Sequence, residues 1–275
     1  MNVTTPEVSS PGAEAHGEGL LDDARLSATL RTFRDSGMVI IRNAYDADRI
    51  ATLRASYDDL LAQERAAPNG SRSVQPTDGQ NHIQMQMPLV PPFADVDVVA
   101  HPVVAQVLAA VLGTDYRCCL YNSNTAFPGS THQQVHRDAG PVFGSGLGVP
   151  TPTTGVVLNI PLCDFTEENG STEVWPGSHL IVDHPDDAGA ELTDRARALA
   201  SARFNIPVGA IALRDLRLWH RGTPNQSDGA RTMLAIVYQR SWLGWRSPAL
   251  RVPAKTWRAW PSHVQTVFAA APVDD

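Results

Sequence analysis

Cysteine is scarce in this sequence. Its 275 residues hold three, Cys118, Cys119 and Cys163. Three cannot all pair, two are adjacent, and there is no CxxC element. Neither a disulfide framework nor a thiolate zinc site is expected, and a reducing cytoplasm is the compartment this usage suits. Long apolar runs are missing as well: none reaches the ~18 residues of a membrane span. The opening MNVTTPEVSSPGAEAHGEG lacks the basic start and apolar core of a secretory signal. Rich in Pro, Ser, Gly and Glu, residues 1–19 read as a disordered tail. Dense basic blocks are also lacking, and the net charge is −7. Nucleic acid and anionic membranes are therefore not expected partners.

The rest of the chain, residues 20–275, reads as one domain. Leu26, Leu30 and Phe33 recur at helical spacing and predict a helix over 20–36. GMVIIR follows as a buried strand. Ile50, Leu53, Tyr57, Leu60 and Leu61 mark a second helix over 46–66. HIQMQMPLV alternates like a strand with one polar face. Residues 101–113 form a further helix, with Pro near its start and Gly at its end. From Tyr116 onward short β-rich runs dominate, separated by Gly, Pro, Asn and Asp. A helix over 190–202 interrupts them, and PSHVQTVFAA is a short terminal helix. The expected fold is α+β: helices first, then an antiparallel jelly-roll of two sheets.

Nine histidines compete for a chemical role. His16 lies in the tail, and His101 and His263 sit on helices as ordinary polar residues. His132 and His136 are four apart, but HQQVH lacks the glutamate of a zinc-protease helix. His184 and Asp186 form a pair inside an acidic, glycine-containing loop that reads as solvated surface. What remains is VHRDAG with WHRG: His136 and Asp138 two apart, so on one face of a strand, and His220 at the end of a later strand. Two imidazoles and one carboxylate on one face of an octahedron suit ferrous iron and leave three positions open. Arg231 opens the strand after His220, across a hairpin turn. Its guanidinium would match a co-substrate carboxylate bidentately.

The pieces HRD (His136–Asp138), ENGSTEVWPGSHL, WHRGTPNQS and Arg231, in that order, resemble the phytanoyl-CoA dioxygenase-like family of Fe(II)/2-oxoglutarate-dependent oxygenases. FRDSGMVIIRNAYDADRIATLR resembles the family's opening helix–strand–helix. The resemblance covers about Leu20 to Trp242. It implies a double-stranded β-helix with the N-terminal helices packed on one sheet. It implies Fe(II) at His136, Asp138 and His220, with 2-oxoglutarate and O2 as co-substrates and Arg231 on the distal carboxylate. By the same resemblance Gln133, Thr172 and Asn159 are further co-substrate contacts, while His179 of PGSH is structural. Many members carry an aromatic residue where this chain has Val135, which touches packing rather than ligation. Asp138 is retained, which disfavours the related halogenases that replace the carboxylate with chloride.

The substrate is expected to be a small, partly apolar molecule, and secondary-metabolite tailoring is the expected setting. His82, Met85, Met87, Trp242 and Trp245 are candidates for its wall. The loops over 67–82, 141–154 and 183–191, together with SWLGWRSPALRVPAKTW, are expected at the mouth. Hydroxylation is the expected outcome. Epimerisation, cyclisation and desaturation share its first step. A non-catalytic jelly-roll module and a zinc hydrolase on the same ligands stay open as alternatives.

Overall fold

In the computed structural model, which describes residues 7–8, 19–67, 71, 73–140, 142–143, 147–182 and 190–274, helices lead and strands follow. In chain order the elements are β1 (Glu7–Val8), α1 (Asp23–Ser36), β2 (Met38–Ile41), α2 (Ala47–Arg65), β3 (Val74–Pro76), β4 (His82–Gln86), α3 (Val96–Val99), α4 (Pro102–Leu112), β5 (Arg117–Ala126), β6 (Gly155–Pro161), β7 (Thr172–Val174), α5 (Ala190–Ala196), β8 (Ala202–Phe204), β9 (Ile211–Asp215), β10 (His220–Arg221), β11 (Arg231–Gln239), β12 (Val252–Pro253), α6 (Ala254–Ala259), α7 (Ser262–Val267) and β13 (Val273–Asp274). The large sheet has the order β1-β2-β9-β6-β11-β5-β4-β3, and the small one β10-β7-β8. A bridge between His136 and His220 adds a rung to the small sheet. This is the expected double-stranded β-helix.

Strand parity sorts the side chains. On β2, Val39 and Ile41 join the main apolar cluster with Phe33, Leu53, Tyr57 and Val104 of the helices. Met38 and Ile40 face the other way, onto Val174, Ala202 and Phe204 of the small sheet. Both faces are buried, so β2 is apolar throughout. On β11, Leu234, Ile236 and Tyr238 pack toward the helices, leaving Arg231, Met233, Ala235, Val237 and Gln239 to line a cavity between the sheets. A third cluster, Val135, Trp175, Leu192, Ala196 and Trp219, backs the small sheet.

Local chemistry sets the helix ends. The Asp22 carboxylate accepts from Arg25 N–H at 2.8 Å and starts α1; Asp46 does the same for α2 through Arg49 at 2.7 Å. Gly37 ends α1 at φ +81° and turns the chain into β2. A Cβ there would lie 2.6 Å from His179 Nδ1, and His179 Nε2 donates to the Arg34 carbonyl at 3.0 Å. His179 is thus a structural clamp on the helix end, as the resemblance implied.

Three expectations need correction. The helix over 190–202 ends at Ala196, and Ala202–Phe204 is strand β8, because pairing with β7 buries Ala202 and Phe204. HQQVHR makes a single bridge rather than a strand. The tail of residues 1–19 lies mostly outside the described residues, but within it Glu7–Val8 pair in parallel with Ile40 and Ile41. That pairing covers what would otherwise be the open edge of β2.

Candidate metal centre

His136 and His220 are drawn together by backbone chemistry. Each N–H donates to the other's carbonyl, at 3.0 and 3.1 Å, and the imidazole centroids stand 4.2 Å apart. Asp138 N–H donates to the Leu216 carbonyl at 2.8 Å, which turns its carboxylate onto the same face. Asp138 Oδ1 lies 3.6 Å from His220 Nε2 and 4.0 Å from His136 Nε2. One donor atom from each of the three falls within 4.8 Å of the others, and among the described residues no other His, Cys, Asp or Glu group converges like this.

The outer nitrogens are already committed. His136 Nδ1 donates to the Gln134 carbonyl at 3.0 Å, and His220 Nδ1 to the Leu218 carbonyl at 2.9 Å. That tautomer leaves both Nε2 lone pairs facing Asp138, the arrangement a metal requires. Burial first, and then the Arg214 charge, push the His220 imidazole well below its ordinary range, so it is neutral and ready to ligate. Enclosure in the site would raise the Asp138 carboxyl, and the Arg214 cation bonded to it outweighs this and holds it well below the carboxylate range. The donor set fits a divalent iron.

Arg214 is the residue that sequence reasoning missed. It sits on β9, is buried, and donates from Nη2 to Asp138 Oδ2 at 2.6 Å. Its Nη1 stands 3.1 Å from His220 Nδ1. The signal was a lone cation in the apolar run AIALRD, a strand buried on both faces, where a charge demands a partner.

A cavity of about 720 Å³ opens from this set. Arg231 lines it, buried, with Nε lacking any hydrogen-bond partner. Its guanidinium carbon lies 4.7 Å from the Phe165 ring centroid, and burial brings its pKa down to about 10. It is still a cation at neutral pH, and a desolvated one that an anion would satisfy. Asn159 Nδ2 is also buried, unpartnered and in the cavity wall. Thr172 lines the same wall from β7. All three line the cavity that also holds His136, Asp138 and His220.

Gln133 lines the cavity too, but its amide is committed. Oε1 accepts from Gly222 N–H at 2.8 Å, while Nε2 donates to Thr77 Oγ1 and the Asp78 carbonyl at 3.2 and 3.0 Å. It ties the loop before β4 to the chain after β10, rather than offering a free co-substrate contact. His82 faces the cavity but gives Nε2 to the Thr131 carbonyl at 2.7 Å. Met85 and Met87 are corrected: both are buried in the main cluster with the helices. The alternation of β4 is real, but its polar residues His82 and Gln84 face the cavity and its methionines face away. Trp242 and Trp245 are both exposed, and of the two only Trp245 lines the cavity. From the loops expected at the mouth, Thr77, Asp78, Val142, Thr154 and Leu243 also line the cavity. His16, His184 and Asp186 lie outside the described residues.

A jelly-roll carrying a facial two-histidine, one-carboxylate set and an inward arginine defines the class of non-haem iron oxygenases that consume a 2-oxo acid. The chain belongs to the phytanoyl-CoA dioxygenase (PhyH) family, whose model matches residues 33–233. It is 29% identical over 225 residues to dioxygenase aneA of Aspergillus aculeatus, covering 78% of this chain and 72% of that protein. It is 25% identical over 232 residues to the iron/alpha-ketoglutarate-dependent dioxygenase ausO of Aspergillus calidoustus, covering 80% and 74%. Among solved structures, the epimerase SnoN in complex with Fe3+, alpha ketoglutarate and nogalamycin RO superposes with a TM-score of 0.65. That match has 19% identity and covers 80% of this chain and 85% of the other. No helix among the described residues is long and apolar enough to cross a membrane.

Proposed function

We propose that this protein is an Fe(II)/2-oxoglutarate-dependent oxygenase that cleaves a C–H bond of a small, partly apolar molecule, with hydroxylation as the outcome and secondary-metabolite tailoring as the setting. The observation that carries this reading is the buried Arg231, whose Nε has no hydrogen-bond partner, in the same cavity as the His136–Asp138–His220 set. Bound iron, 2-oxoglutarate and O2 supply the oxidising power for an unactivated C–H bond, with succinate and CO2 as by-products.

The chain's own residues do the rest. His136, Asp138 and His220 hold the metal on one side and leave the cavity side open. Arg231 anchors the distal carboxylate of the co-substrate, with Thr172 and Asn159 alongside. Arg214 holds the outer oxygen of Asp138 so that one oxygen faces the metal.

The test is anaerobic. Fe(II) and 2-oxoglutarate added to apo-protein should give the weak visible charge-transfer band of an iron-chelated 2-oxo acid. Loss of the band in His220→Ala, with folding intact by circular dichroism, supports the ligand set; no band in the folded wild type refutes it. Product analysis then separates hydroxylation from epimerisation, cyclisation and desaturation.

A further inference from the structure

The cavity floor is written in rows by strand register. Gln84 pairs with Asn124, which pairs with Met233. Two residues along, Asn122 pairs with Ala235, which pairs with Asn159. The next row is Leu120, Val237 and Val157. All of these except Pro161, which pairs with Met233 from β6, line the cavity. Opposed residues on neighbouring strands carry their Cβ atoms about 5 Å apart. Gln84 and Asn124 therefore present two carboxamides side by side, with Asn122 two residues along on the same face of β5.

No hydrogen bond holds any of these three side chains among the described residues. Nearby carboxamides behave differently. Gln86 donates to the Tyr121 carbonyl at 2.8 Å, Gln133 is fully bonded, and Gln239 donates to the Trp245 carbonyl. Asn122 is only 8% exposed. Asn122 is buried, Asn124 half-buried and Gln84 exposed, and all three line the cavity with no protein partner, so their carboxamides are free to meet a molecule entering it. Past the carboxamides the wall turns apolar, through Leu120, Val237 and Val157 to Leu243 and Trp245.

Charge narrows the ligand further. The cavity's two arginines are spoken for: Arg214 by Asp138, and Arg231 by the co-substrate. Lys255, the chain's single lysine, does not line the cavity. Asp78 accepts from Gln134 N–H at 2.5 Å. A second anion would enter with no counter-charge among the described residues and lose its hydration.

Building on the oxygenase reading, we propose that Gln84, Asn122 and Asn124 form the substrate-recognition subsite. The substrate class is a neutral molecule with hydroxyl or carbonyl oxygens along one edge and an apolar skeleton along the other. Carboxamides both donate and accept, so they read hydroxyl and carbonyl groups alike. This excludes acyl-CoA thioesters, phosphate esters and free acids.

The probes are hydrocortisone, its 21-hemisuccinate and its 21-phosphate, three compounds with one skeleton that differ in charge. Each is titrated anaerobically into the Fe(II)–2-oxoglutarate protein, and binding is read as a perturbation of the charge-transfer band. Hydrocortisone should bind at least roughly tenfold more tightly than either charged ester. The Gln84→Leu/Asn124→Leu variant should keep the band and its 2-oxoglutarate affinity, and weaken hydrocortisone by roughly tenfold. Equal or tighter binding of a charged ester, or no binding of any probe with the band intact, overturns the substrate class. Loss of the band in the double variant also overturns it, by moving those residues to the co-substrate. Absence of the band in wild type strikes the oxygenase reading instead.

Discussion

Arg214 Nη2 meets Asp138 Oδ2 at 2.6 Å and leaves Oδ1 to face the two histidines. A cation from the large sheet thereby fixes a carboxylate carried by the other wall. Outer partners of this kind orient metal ligands and tune their affinity. Arg214→Met should weaken Mn(II) or Fe(II) binding by roughly 10–100-fold, with Arg214→Lys intermediate. Calorimetric titration of the metal checks this, and unchanged affinity in Arg214→Met would show that Asp138 is held by backbone alone.

Arg231 should govern the co-substrate and leave the metal untouched. A charge-assisted bond contributes about 1.5–3 kcal/mol, so Arg231→Gln should raise the 2-oxoglutarate KM by roughly 10–100-fold. Metal affinity measured without 2-oxoglutarate should not change. An unaltered KM would remove Arg231 from this role.

Asp215 and Arg217 form a buried pair beside the site. Arg217 Nε and Nη2 donate to the two carboxylate oxygens at 2.9 and 2.8 Å, and Thr153 Oγ1 adds a bond at 2.7 Å. Burial would raise the Asp215 carboxyl, but Arg217 outweighs it and holds it below the usual range. A folded pKa below the unfolded one stabilises above the unfolded value, near pH ~4, and this contribution fades as pH falls through the folded pKa. Asp215→Asn should lower stability at pH 7 by about 3 kcal/mol and flatten the acid limb of the stability profile. Urea unfolding across pH 2 to 7 measures both, and a variant as stable as wild type at pH 7 contradicts the pair's role.

Met85 tests which face of β4 sees substrate. It is 0% exposed and packs with the helices. Met85→Ala should cost roughly 2–5 kcal/mol and lower Tm without altering hydrocortisone binding to the iron-loaded protein. A selective loss of binding at unchanged Tm would restore the methionine to the cavity wall.

The ligands were legible in sequence because their chemistry is local. His136 and Asp138 share a face by their spacing, although only His136 makes a β-bridge. His220 and Arg231 stand eleven residues apart, though the turn expected between them as a hairpin instead crosses from β10 of the small sheet to β11 of the large one. The first two helices were legible through Leu26, Leu30 and Phe33 and through Ile50, Leu53 and Tyr57, whose spacing along one segment marks an apolar face. Arg214 was not legible as a partner of Asp138, since β9 and the HRD segment lie far apart in the chain. Gln133 carried the right residue type at the right place, yet the neighbouring loop took up its hydrogen bonds.

The sequence by itself determined the periodicities, the caps and the residue types able to hold a metal, because these depend on spacing along one segment. Only the tertiary structure decided phase and pairing. An alternating strand such as HIQMQ has two equivalent readings until a helix layer covers one face. Here Tyr57 and its neighbours in α2 took the methionines, and the cavity kept His82 and Gln84. The row of unbonded carboxamides likewise exists only once β4 and β5 lie in register, a relation fixed by hydrogen bonds between segments that no single segment encodes.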